Sequence, residues 1–114
     1  MNIEIVKDQI SIEKIKQLAE QTFGDMVKAV ADIEKNIMAV GGELHADAEA
    51  ALLAEGSKQE NLWGFNIYPE NFSIEQLEFT SLINIRPSLG NKSMEIKSLE
   101  IKEKIKEIVN HLIK

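Results

Sequence analysis

Gly41-Gly42-Glu43-Leu44-His45-Ala46-Asp47-Ala48-Glu49 is the stretch on which the reading of the fold turns. It carries one of the two histidines of the chain and four ionisable side chains at alternate positions. The paired glycines interrupt what precedes them, as a bend or because another backbone comes close. From Glu43 to Glu55, five alanines and three leucines favour a helix, and Gly56 follows as a C-terminal stop. Leu44, Ala48, Ala51, Leu52 and Glu55 would then share one stripe of mostly small side chains. The rival is a strand, with Glu55-Gly56-Ser57-Lys58 turning into the next one.

The two readings imply different chemistry. On a strand, alternate residues share a face, and Glu43, His45, Asp47 and Glu49 would project together as nitrogen and oxygen donors for a divalent metal. On a helix the four separate into Glu43 with Asp47 and His45 with Glu49, each pair one turn apart. His45 and Glu49 would then need a third ligand from elsewhere, with Asp32 and Glu60 as acids in the chain. The plainer alternative is a polar helix face, with Glu43 favoured by the N-terminal dipole and His45 bonded to a neighbour.

Working outward towards the N-terminus, Met26 to Glu34 alternates. Val27, Ala29, Ala31 and Ile33 share one face, and Lys28, Asp32 and Glu34 lie on the other with Met26 and Val30. Lys35-Asn36 is the expected turn, since Asn tolerates the left-handed backbone. Ile37 to Val40 returns as the second strand of a hairpin. Before it, Ile15, Leu18, Ala19 and Phe23 recur at helical spacing between a Ser11 cap and Gly24. Ile3, Ile5 and Val6 form a first short strand.

Towards the C-terminus, Asn61 to Tyr68 reads as a strand with Trp63, Phe65 and Ile67 on one face, ended by Pro69. Leu77 to Ile85 alternates again, with Leu77, Phe79, Ile83 and Ile85 expected inward and Glu78, Thr80 and Asn84 outward. Pro87 stops it, and a polar loop turns at Gly90-Asn91. Ser98 caps a last helix with Ile101, Ile105, Ile108 and Leu112 as its buried stripe. The order strand, helix, hairpin, helix, hairpin, helix predicts an α+β fold: a mostly antiparallel sheet with about three helices packed on one face, as one domain over residues 1–114.

A second candidate site lies at the end of that last predicted strand. Arg86, followed by a loop containing Gly90, Asn91 and Lys92, would hold an anion through guanidinium and backbone N–H groups. No phosphate-loop spacing supports it, because the glycine upstream of Gly90-Asn91-Lys92-Ser93 is missing. The alternative is a surface turn with Arg86 paired to an acid. No serine sits in a nucleophile-elbow pattern, and no Ser-His-Asp arrangement can be argued.

Composition narrows the classes. The 114 residues are 44% hydrophobic and 28% charged, close to globular averages. A net charge of −6 argues against a nucleic-acid partner, which demands a basic face. The absence of cysteine excludes disulfides, thiolate metal sites and a cysteine nucleophile. No apolar run approaches membrane-spanning length, and cytoplasmic residence is the expectation.

Three strings carry a family resemblance: Gly-Glu-Leu-His-Ala-Asp at 42–47, Glu-Gly-Ser-Lys-Gln-Glu-Asn-Leu-Trp-Gly at 55–64, and Phe-Thr-Ser-Leu-Ile-Asn-Ile-Arg-Pro at 79–87. With them the chain resembles, from about Met26 to the last helix, a small family of uncharacterised prokaryotic proteins known as a domain of unknown function. The resemblance implies a free-standing protein and transfers no substrate, cofactor or catalytic residue. The leading expectation is an interaction or structural module that self-associates through a sheet edge or the small-residue helix, as a homodimer or with another protein. A metal-binding protein or small metal-dependent enzyme at Glu43, His45, Asp47 and Glu49 is one alternative. Anion or phosphoryl-ligand binding at Arg86, Asn91 and Lys92 is the other.

Overall fold

The computed structural model describes residues 2–114. Four strands form one antiparallel sheet: β1 (Ile3–Val6), β2 (Val27–Asp32), β3 (Ile37–Gly41) and β4 (Leu62–Ile67), in the order β1-β3-β2-β4. Three helices accompany it: α1 (Ile12–Glu20), α2 (His45–Ala54) and α3 (Leu99–Leu112). The fold is α+β, as the sequence pattern predicts.

Local chemistry explains most boundaries. Ser11 and Ser98 cap α1 and α3 by accepting from the N–H groups of Lys14 and Ile101. The β2–β3 turn uses Asn36 in the left-handed region, at φ 59°. β2 nevertheless stops two residues earlier than its alternation suggests. Asp32 Oδ1 accepts from Glu34 and Lys35 N–H, folding the chain into the turn, while its Oδ2 accepts from the Ser57 hydroxyl at 2.6 Å. Gly41 has φ 117°, and a Cβ there would overlap the Asn2 carbonyl oxygen, so the position needs glycine both for its backbone conformation and for the close approach.

The layering corrects the expected single helical face. Val27, Ala29 and Ala31 of β2 join Met38, Val40, Trp63, Phe65 and Ile67 in the larger core, closed by α1 and α3. Val30, Ala39 and Leu62 point the other way and meet Ala48 and Leu52 of α2. The sheet is therefore covered on both sides. The second core is small, and its polar neighbours Asp32 and Asn66 are buried among hydrogen bonds, so alternation alone made this face read as exposed. The apolar share that α2 brings to it rests largely on Leu52, about 1.5–3 kcal/mol for one buried leucine, with Ala48 adding little. Polar anchors hold the rest of α2.

The segment Leu77 to Ile85, expected as a fifth strand, is irregular. Only single bridges tie it to its neighbours, Asn66 with Glu78 and Thr80 with Glu95. The Ser81 hydroxyl accepts from Ile83 N–H and starts a one-turn 3-10 helix over Leu82–Asn84. That turn breaks the period of two. Asn84, expected outward, is fully buried, and Ile85, expected inward, is 43% exposed.

The same segment closes the free edge of β4, where three residues present backbone groups outward. Asn66 exchanges two backbone hydrogen bonds with Glu78, at 2.8 and 3.1 Å. The Asn84 side-chain amide imitates a strand at Gly64: its Oδ1 accepts from Gly64 N–H at 2.8 Å and its Nδ2 donates to the Gly64 carbonyl at 2.9 Å. The Arg86 guanidinium donates to the Leu62 carbonyl. Thus one main-chain bridge and two side chains replace a neighbouring strand.

Candidate functional site

Arg86 is the more deeply committed of the expected site residues. Its guanidinium donates to Glu49 Oε2 at 2.9 Å and lies over the Trp63 ring, 5.2 Å from the centroid, with both members of the ion pair only 11% exposed. Burial lowers the Arg86 pKa, and the Glu49 charge and hydrogen bond oppose the shift. Asn91 is equally occupied. Its Nδ2 faces the carbonyls of Asn84, Ser93 and Glu95 at 2.8–2.9 Å, and its Oδ1 accepts from Lys97 N–H. Lys92 stands exposed on the loop. Arg86, Asn91 and Lys92 therefore do not converge on an anion: the arginine is neutralised by Glu49 and the asparagine organises its own loop.

The expected metal ligands are also dispersed, because the stretch is a helix and begins only at His45. Glu43 is exposed ahead of it, Asp47 is half-buried, and His45 and Glu49 face the sheet one turn apart. Glu49 is taken by Arg86. Among the described residues no three His, Asp or Glu side chains are gathered to hold a metal ion. The buried side of α2 runs through His45, Ala48, Glu49 and Leu52, a rotation from the expected stripe that leaves Leu44 exposed.

His45 instead borders a cavity of about 300 Å³ between the start of α2, the outer part of β2 and β4, and residues 80–83. Its Nε2 lies 2.9 Å from the Phe65 carbonyl oxygen, a contact only an N–H can make, which leaves Nδ1 as the acceptor of the neutral ring. Burial lowers the His45 pKa below 6.5. The Lys28 charge acts in the same direction, against the Phe65 carbonyl and the Asn66 side chain. Asn66 donates from Nδ2 to Glu78 Oε1, while its buried Oδ1 has no hydrogen-bond partner among the described residues. Lys28 also lines the cavity, its ammonium 5.2 Å from the Phe23 ring centroid. Lys28 and Asn66 escaped the sequence reading. The one available signal was a polar residue within each of two otherwise mostly apolar strands.

The depressed pKa fixes the sign of a pH effect. The unfolded chain, with His45 near 6.5, binds more protons than the folded one just below that value, so stability is full above about pH 6.5 and falls as acid reaches the lower folded pKa. Urea titrations between pH 7.5 and 5 should show wild type losing stability more steeply than His45→Gln. Parallel curves for the two proteins would remove His45 from the effect.

The family comparison bears directly on this region. The family model described as protein of unknown function (DUF5674) matches residues 4–112. The chain belongs to that family. No curated protein and no solved structure matches it. The DUF5674 match runs from β1 into the last turn of α3 and takes in every residue around both α2 anchors. Among the described residues of this DUF5674 chain, no helix is long and apolar enough to cross a membrane.

The surface around the His45 cavity is unusually apolar. A second hollow, of about 490 Å³, adjoins it at Leu82 and Ile83 and runs past Glu49, Arg86 and Glu60. Of the large apolar side chains left exposed, Leu44, Leu82, Ile85, Leu89 and Met94 all line one hollow or the other. Leu82, on the shared wall, is 72% exposed. These five side chains border two adjoining hollows and are not scattered singly over the surface.

Proposed function

We propose that this protein is a small interaction module that self-associates through the face carrying Leu44, Leu82, Ile85, Leu89 and Met94, and that it works in the cytoplasm. The gathering of these five side chains around the shared wall of two hollows is the observation that carries the reading. The expected routes are narrower: of the two sheet edges β4 is already bonded and β1 is only four residues long, and Ala48 and Leu52 of α2 pack against the sheet. Charge favours an isologous pair. One hollow carries Lys28 and the other Glu60, and Leu82 lines both. A two-fold axis near Leu82 would bring each lysine towards its partner's glutamate. The acidic, cysteine-free composition suits the cytoplasmic assignment.

Sedimentation velocity over a concentration series tests this. Wild type should pass from monomer to dimer, and Leu82→Asp should weaken association by about thirty-fold or more, the effect of losing a central apolar anchor. Lys28→Glu alone should also weaken it, and adding Glu60→Lys should restore it. A wild-type protein that stays monomeric at millimolar concentration defeats the proposal.

A further inference from the structure

We infer that Met94 is an oxidation site through which peroxides weaken self-association, a regulation that rests on the contact face proposed above and acts on that same face.

The chain has no cysteine, so thioethers are its only sulfur groups open to two-electron oxidation. Their settings differ. Met38 is fully buried in the larger core and Met26 is half-buried, whereas Met94 is 42% exposed. Met94 is also the one methionine among the described residues that lines the His45 cavity, beside Leu82 and Ile83. Of the five side chains on the proposed contact face it alone is readily oxidised, since the other four are three leucines and an isoleucine.

The fold separates this side chain from the backbone that carries it. The Met94 carbonyl accepts from Ser81 N–H at 3.1 Å and from Asn84 Nδ2 at 3.1 Å. Asn84 is itself fixed to Gly64. The position is therefore held by bonds that the thioether does not make. Oxidising Met94 changes the surface and leaves the anchor in place, where oxidising a core methionine would disrupt packing.

The step transfers one oxygen and two electrons. A lone pair of Met94 Sδ attacks one oxygen of hydrogen peroxide, and the O–O bond breaks as the S–O bond forms. The proton on the transferred oxygen passes to the departing hydroxide, which leaves as water. The sulfide is oxidised to a sulfoxide and the peroxide is reduced. A polar acceptor then stands where the face was apolar, and covering it without a donor is unfavourable. In a two-fold pair each copy brings one such group, so the penalty applies twice.

Sedimentation velocity of the full chain before and after hydrogen peroxide tests this, with peptide mass spectrometry to place each added oxygen. Met94 should gain one oxygen well before Met26 and Met38, and the oxidised protein should associate about tenfold more weakly. Its unfolding midpoint, read at a concentration where the chain is monomeric, should not change. Methionine sulfoxide reductases with a dithiol should restore both the mass and the association. Met94→Leu, compared only with itself, should associate equally before and after peroxide. Association that survives full oxidation of Met94, or that peroxide weakens equally in Met94→Leu, overturns the inference while self-association stands. A wild-type protein that is monomeric at millimolar concentration before any peroxide is added overturns both.

Discussion

Arg86→Ala should lower the stability of this protein by about 3–5 kcal/mol, because it strands Glu49 as an uncompensated charge against the sheet. The guanidinium is held on three sides, by the carboxylate, by the Leu62 carbonyl and by the Trp63 ring, and alanine supplies none of these contacts. Against the 5–15 kcal/mol typical of a domain this size, the loss should bring the unfolding midpoint down by more than about 10 °C. Urea denaturation of the single variant measures it. The companion Arg86→Met with Glu49→Leu should recover much of the loss, since both charges leave together and the space stays filled. A single variant within about 1 kcal/mol of wild type would mean that solvent reaches the pair and that Glu49 is not dependent on Arg86.

The second large effect belongs to Asn84. Asn84→Ala removes three hydrogen bonds and leaves the N–H and carbonyl of Gly64 facing a void at the edge of β4. Unpaired buried backbone groups cost about 1–3 kcal/mol each, so a total near 3 kcal/mol is expected. Asn84→Asp separates polarity from pairing. It preserves the acceptor for Gly64 N–H but turns an oxygen towards the carbonyls of Gly64 and Met94, and should be no more stable than alanine. Amide hydrogen exchange at Gly64 gives the residue-level readout: protection should fall in both variants. If Gly64 keeps its protection in Asn84→Ala, the imitation of a strand by this side chain is not what holds the edge.

Most of the fold was legible where a single local rule governs it. Ser11 and Ser98 capped their helices as serines do, Asn36 took the left-handed turn, and Trp63, Phe65 and Ile67 entered the core on the predicted parity. Two of the failures combine a local side-chain turn with a polar partner remote in sequence. Asn84 alternates as a strand residue would, but the Ser81 turn breaks that period and Gly64, twenty residues away, holds the amide that then faces inward. Asp32 reads only as a polar residue on the second face of its strand until Ser57 is placed beside it. The candidate site fared similarly. His45 was visible among acidic residues and Arg86 ahead of a polar loop, but Phe65 and Glu49, which decide what those two can do, are set by packing on the second face of the sheet. Lys28 and Asn66 carry no motif; only register places them beside His45.

The closed edge of β4 has a consequence for how copies of this chain can misassemble. Open sheets polymerise when both flanks accept strands, since each addition exposes a fresh template. Here the flank beyond β4 is occupied, and β1, a four-residue strand, is the other end of the sheet. Strand addition through β1 would join two copies back to back and then find a sealed flank at either end. A continuous fibril would require Asn84 and Arg86 to let go first, so the side chains that stabilise the monomer also cap the growth of any aggregate built from its native sheet.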